Sequence, residues 1–204
     1  MLNEVRTGPI VSADGAVNPA RADKQGALVV VDSHGRYYEA CSRGFVFCGA
    51  NTAAQATSTS SATATGLILT NPQGSGKLIS IIDITVGVGA AVAAAFEVGL
   101  FANINTLAAA VTQTTPITPR GALLGSSYPP VGLLASAATL PAAPVHIRTL
   151  LASGFVAATA QSIEIFKDEV AGALMLLPNT AISIQSVVGT QSIIASITWE
   201  EVLL

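Results

Sequence analysis

Apolar and polar positions alternate with a period of two, not 3.6, along most of this chain. Near its end, SIEIFKD, GALMLLP, AISIQSVVG and QSIIASITWEEV are separated by acidic, Pro-Asn or Gly-Thr punctuation and predict four strands. In the last of these, Ile193, Ala195, Ile197 and Trp199 fall on one face and Ser192, Ser196, Thr198 and Glu200 on the other. Trp199 shares the apolar parity, which makes it a core anchor and not a stacking platform. Earlier, Leu78, Ser80, Ile82, Ile84 and Val86 alternate with Ile79, Ile81, Asp83 and Thr85, and Phe96 to Ala102 gives a further strand. In ATSTSSATAT, residues 56 to 65, Thr57, Thr59, Ser61, Thr63 and Thr65 share one parity, a strand rhythm that leads into the strand formers of GLILTN.

The segment GALVVVDSHGRYYEACSRGFVFCG reads as a hairpin and then a third strand. Val29 to Val31 are β-branched, Asp32 and Gly35 bracket a turn, and Tyr37 and Tyr38 resume the strand. Asp32, Ser33 and His34 cannot act as a triad, because neighbours on a tight turn do not align nucleophile, base and orienting acid.

NPQGSGK, residues 71 to 77, resembles a phosphate-binding loop. The nucleotide motif requires Gly, four residues and then Gly-Lys-Ser/Thr. Here Asn71 stands where the first Gly belongs and Leu78 where the magnesium-binding hydroxyl belongs. Residues 78–86 have the period of a strand, whereas such a loop must open a helix. The expectation is a strand-to-strand loop in which Pro72 starts the turn and Gly74 and Gly76 supply permissive dihedrals.

Charge is spread unevenly. Ten of the 21 charged residues lie in the first 43 positions, and five lie between Phe45 and Ile163. Residues 1–25, with Gly8, Pro9, Gly15 and Pro19 and little periodicity, read as an extended N-terminal arm before a domain at 26–204. Acidic residues and the lack of an apolar run argue against a signal peptide there. Residues 103–161 hold six of the ten prolines and two charges, Arg120 and Arg148. This Pro/Ala-rich insertion needs cover from its own domain or from a partner. Within it, HIRTLLASGFVAA fits a strand or a short helix.

The 204 residues suffice for one domain with a sizeable core, with or without an arm. Half of them are hydrophobic, but only 5% are aromatic and 10% charged, against a usual charged share of about 25%. So little charge implies a surface covered by Ser and Thr or buried against other subunits, so that the chain itself is the first expected partner. A net charge of -3 leaves no footprint for nucleic acid. The apolar window at residues 84–102 approaches the length of a membrane span, but its three glycines and its alternation favour strands, and no membrane partner is expected.

Cys41 and Cys48, with His34 and His146 far apart in sequence, do not make a zinc set, and the two thiols are expected to be free. Acidic pairs occur as Asp168-Glu169 and Glu200-Glu201, whose members point to opposite faces of a strand. No nucleophile elbow, metalloprotease motif or dinucleotide fingerprint is present, so neither catalysis nor a cofactor is expected.

About ten short strands with turn signals and few helical windows predict an all-β protein, an antiparallel β-sandwich of jelly-roll type with an extended N-terminal arm. TGLILTNPQGSGKLISIIDITVGV, AAVAAAFEVGLFA and IIASITWEEV together resemble virion structural proteins of tailed bacteriophages, over residues 57 to 103 and 180 to 202. The resemblance implies a head decoration or cement protein on the capsid surface, made in the host cytoplasm. It would be homo-oligomeric, by analogy trimeric, with the major capsid protein as its partner. A tail, fibre or adaptor component with host-glycan binding is the alternative. A cupin-like metalloenzyme is a remoter one, since two histidines with no spacing motif do not build its centre. The candidate partner contacts are Tyr128, Pro129 and Pro130 in the insertion, together with the arm.

Overall fold

The computed structural model describes residues 35–90, 92, 94–103, 110–153 and 165–204. The chain divides into two compact units, Met1–Tyr38 and Glu39–Leu204. The arm at 1–25, the expected strand at Val29–Val31 and the turn residues Asp32, Ser33 and His34 lie outside the described residues.

The expected strand at Tyr37 and Tyr38 is instead the approach to a helix, α1 (Tyr38–Ser42). Its end explains why. Gly44 sits at φ +75° and donates its N–H to the Cys41 carbonyl, while the Phe45 N–H reaches the Ala40 carbonyl, a left-handed cap that closes one helical turn. Glu39 and Arg43 pair four residues apart across that turn.

Beyond α1 the described residues form thirteen strands: β1 (Val46–Ala50), β2 (Gln55–Ala56), β3 (Thr63–Asn71), β4 (Lys77–Val88), β5 (Phe96–Asn103), β6 (Thr112–Ile117), β7 (Arg120–Gly121), β8 (Leu133–Thr139), β9 (Val145–Ser153), β10 (Ile165–Asp168), β11 (Met175–Leu176), β12 (Thr180–Val188) and β13 (Ser192–Leu203). One sheet has the order β10-β4-β13-β1-β7, with β11 beside β4 and β2 beside β13; the other runs β6-β8-β3-β12-β5-β9. Every pairing between these strands is antiparallel, and the two sheets pack face to face as a β-sandwich. The apolar window at 84–102 is divided between β4 and β5, and no helix among the described residues is long and apolar enough to cross a membrane.

The centre is an interlocked set of four strands. β3 pairs with β12 in one sheet, and β4, its successor, pairs with β13, the successor of β12, in the other. Asn71 lies opposite Thr180 and Lys77 opposite Leu203, so the β3–β4 crossover is at one end of the sandwich. The β12–β13 crossover lies at the other end, where Ile193 faces Val88. These four interlocked strands carry the sandwich architecture.

Between the sheets, Phe47, Leu67, Leu69, Ile84, Leu100 and Trp199 join one apolar cluster. Each fully buried large aliphatic side chain contributes about 1.5–3 kcal/mol. Trp199 is fully buried, with its ring 6.2 Å from that of Phe47 on the neighbouring strand. Ile193, Ala195 and Ile197 are buried with it, as the alternation predicts. On β4 the strict alternation fails at one place. Thr198 faces Asp83 but Trp199 faces Ile81, so Ile82 is an extra residue, and the inward positions change from Ile79 and Ile81 to Ile84 and Val86.

In the described part of the Pro-rich region, residues 110–153, the chain forms strands of both sheets. β6, β8 and β9 belong to one sheet and β7 to the other, and β8, Leu-Leu-Ala-Ser-Ala-Ala-Thr, buries Leu134, Ala135 and Ala138 beside β3. Small residues let a strand be buried on both faces. Pro116 is tolerated because β6 is an edge strand. HIRTLLAS is strand throughout, as β9. Leu140 in the connection after β8 packs on Ala64, Ile68 and Ala181, and the Ala142 carbonyl accepts a hydrogen bond from Asn103 Nδ2. The β8–β9 connection therefore crosses the outer face of its sheet.

The Ser/Thr run is a strand only at its ends, in Ala56 of β2 and from Thr63 onward in β3. Between them side chains replace the ladder. Thr57 Oγ1 pairs with Ser186 Oγ and donates to the Gln191 carbonyl at 3.0 Å, while Gln185 Oε1 accepts from Ser58 Oγ at 3.0 Å and from the Ser61 N–H at 2.8 Å. Competition of this kind between hydroxyl groups and backbone partners is what breaks the strand.

The edge at β9 carries two register shifts, opposite Val98/Gly99 and Leu100/Phe101, which blunt it against pairing with another strand. Arg148 on β9 meets Asp168 on β10 at 2.5 Å, joining the two sheets at this side.

Gly66 sits at φ +135° in β3, and a Cβ there would lie 2.0 Å from the Ile184 carbonyl oxygen. Gly66→Ala is expected to cost at least about 2 kcal/mol, through backbone strain and displacement of β12. Urea denaturation measures this, and a loss under about 0.5 kcal/mol would contradict the register described.

Candidate interaction surface

The loop that resembles a nucleotide site lies at the β3–β4 end, and its residues serve the fold. Asn71 is fully buried, and its Nδ2 donates to the Lys77 and Leu176 carbonyls, each at 2.8 Å. These bonds close the loop on itself and fasten β11 to it. Gly74 and Gly76 adopt φ of +73° and +65°. The loop joins two strands, as its failed motif predicts.

Lys77, which would hold phosphate in a nucleotide site, is spent on Glu201. Its Nζ lies 2.9 Å from Glu201 Oε2, and the Glu201 side chain has no accessible surface. The carboxylate also accepts the Val131 N–H at 2.8 and 3.0 Å on its two oxygens, the Gly132 N–H at 2.8 Å on Oε1, and Trp199 Nε1–H at 3.3 Å on Oε1. One buried carboxylate thus gathers a lysine, two successive backbone amides and the core indole, and every bond to it is charge-assisted. Gly132 permits the approach: a Cβ there would lie 3.0 Å from both Trp199 Nε1 and Ile79 Cδ1.

The sequence places Glu200 and Glu201 on opposite faces, which discounts them as a paired site. That geometry holds, and it is what sends Glu201 inward along the parity of Ile197 and Trp199 while Glu200 faces the other way. The available signal is the apolar parity extended two residues past Trp199.

Glu201 fixes the segment that carries the candidate contacts. Val131 and Gly132 are its anchors, and Tyr128, Pro129 and Pro130 lie just before them. Tyr128 is 62% exposed, Pro129 is exposed and Pro130 half-buried. The Tyr128 ring rests against Gly44, where a Cβ would come within 2.7 Å of it.

Other large apolar side chains gather at this end. Phe45, whose carbonyl accepts the Glu201 N–H, is exposed, and Leu124, in the same loop as Tyr128, is 86% exposed. Leu203 is 81% exposed opposite Lys77, and the exposed Leu204 donates its N–H to the Gly76 carbonyl. Leu177 is exposed just before Thr180, and Leu133 is exposed opposite Thr70. The Lys77–Glu201 pair at the centre of this region is internally neutralised.

No group of three or more His, Cys, Asp or Glu that could hold a metal is found among the described residues. Cys41 and Cys48 are free thiols, on α1 and β1. Partial burial pushes the Cys41 thiol up, and the carboxylate of Glu200 and then Cys48 add to it.

Glu201→Ala is expected to destabilise the fold by about 3–5 kcal/mol, since it leaves a lysine, two amides and an indole without their acceptor. Lys77→Ala should cost less, because three N–H groups still hold the carboxylate. Urea denaturation of both variants checks the order, and amide exchange at Val131 and Gly132 should accelerate in the first. Raised above its ordinary value, the Cys41 thiol carries little thiolate at neutral pH, so its alkylation should be slower than that of a free thiol and quicken as pH rises through its titration. Rate measurements across pH on the Cys48→Ser variant test this.

No protein-family model, no curated protein and no solved structure matches this chain.

Proposed function

We propose that this protein is a structural component of a virion, a decoration or cement protein that binds the outside of a capsid and links major capsid subunits. It does so as a homo-oligomer, with three copies by analogy to the phage proteins its sequence resembles. The observation that carries this reading is the apolar end of the sandwich. Large side chains stand exposed around the Glu201 anchor, on a frame with few charges, and such a surface is suited to permanent burial against protein. A preordered loop adds to this suitability, since little conformational freedom remains to be lost on docking.

The test uses particles. Purified full-length chain is added to phage heads that lack it, and binding is followed by co-sedimentation and by the temperature at which the heads rupture. Saturable binding with a raised rupture temperature is the expected result. Failure to bind heads, or recovery of the chain from tails alone, would overturn the assignment.

A further inference from the structure

We infer that the apolar end of the sandwich, centred on the Tyr128–Gly132 segment and on Leu203, is the surface through which copies of this chain associate with one another. This deepens the proposed function and rests on its premise that the chain is an assembly protein; it names the surface used and assigns it to self-association.

Area is the first argument. Weighted by their individual exposures, and with roughly 200 Å² for a fully exposed large side chain, the apolar groups at this end offer on the order of 800 Å². That matches one partner's share of a standard interface, about 800 Å².

Charge is the second. An interface between identical surfaces brings each charge near its own copy, so an unpaired charge there would oppose association. At this end Lys77 and Glu201 are bonded to each other, and the carboxylate is fully buried. The exposed Glu39 and Arg43 beside Gly44 are likewise paired with each other, so the surface presents apolar groups among internally neutralised pairs, which favours a second copy over a charged partner.

Rigidity is the third. The segment bearing Tyr128 is held by three hydrogen bonds from Val131 and Gly132 to Glu201, and Leu204 is held by its N–H on Gly76. Exposed apolar side chains near the other end, Ile165, Val188 and Ile194, are fewer, and two edge strands are less suited to self-pairing. β9 is a long edge strand but is interrupted by two register shifts, and β6 contains Pro116.

The experiment is sedimentation equilibrium of the full chain, with light scattering, over about 1 to 100 μM, a range set by typical oligomer affinities. It compares the natural sequence with Leu124→Glu, Leu203→Glu and the control Ile194→Glu, which changes an exposed apolar side chain opposite Gly87 near the other end. Near-UV circular dichroism confirms that each variant is folded. If Leu203→Glu fails to fold, Leu124→Glu alone decides, since Leu124 lies in a loop and is 86% exposed. Expected are an oligomer for the natural chain, a weakening of at least tenfold in the end variants, and no change in the control. A natural chain that is monomeric throughout, or folded end variants that assemble as well as the natural chain, would overturn the inference. Head binding is scored separately. A monomer that binds heads retains the proposed function and loses this surface, and an oligomer built through this end that ignores heads does the reverse.

Discussion

A carboxylate buried without solvent access is costly unless nearly all its acceptor capacity is used. Glu201 meets that condition with Lys77, the Val131 and Gly132 amides, and the indole of Trp199. These partners come from different places: the start of β4, the approach to β8, and β13 itself. Two adjacent strands of one sheet and the segment between β7 and β8 are thereby drawn to one point at the end of the core. A hydrophobic residue at position 201 could have filled the space, but it would have left two backbone amides and an indole without partners. The carboxylate therefore specifies the path of the 122–132 loop, a task that apolar packing performs with less directional precision.

The two crossovers of the sandwich are closed by different polar groups. Around the β12–β13 crossover, Thr57, Ser58 and Ser61 meet Gln185, Ser186 and Gln191 in a side-chain network that stands in for sheet pairing. At the β3–β4 crossover, Asn71 Nδ2 closes the loop on two carbonyls and Glu201 gathers four donor groups, while large apolar side chains face outward. Once Lys77 and Glu201 neutralise each other, no other charged side chain is needed to complete the anchor. The low charge of the whole chain is consistent with a molecule whose surface is suited to protein contact.

Much of the fold was legible in the sequence because a strand's inward and outward faces follow directly from period two. The strands β4, β5, β12 and β13, the burial of Trp199, and the strand-to-strand character of the 72–76 loop all come from alternation, turn residues and a motif that fails at two anchors. The exceptions have local causes. A glycine cap at Gly44 makes a helical turn where aromatic residues predict a strand. Hydroxyl side chains interrupt the Ser/Thr run. An extra residue at Ile82 shifts the alternation of β4. Over residues 110–153 proline count does not prevent strands, because a single proline on an edge strand is compatible with a sheet and small residues allow β8 to be buried on both faces.

The order of residues is thus enough to establish that the chain forms antiparallel strands packed around an apolar core, that Trp199 belongs to that core, and that NPQGSGK does not bind phosphate in the manner of a nucleotide loop. The roles of Lys77 and Glu201 emerge only in three dimensions, because they are 124 residues apart and meet through the pairing of β4 with β13. The same holds for the placing of the crossovers at opposite ends, and for the gathering of Tyr128, Leu124 and Leu203 at one of them. Alternation encodes which way a residue points along its own strand. It does not encode which strand lies alongside, and sites assembled from several strands depend on that second fact.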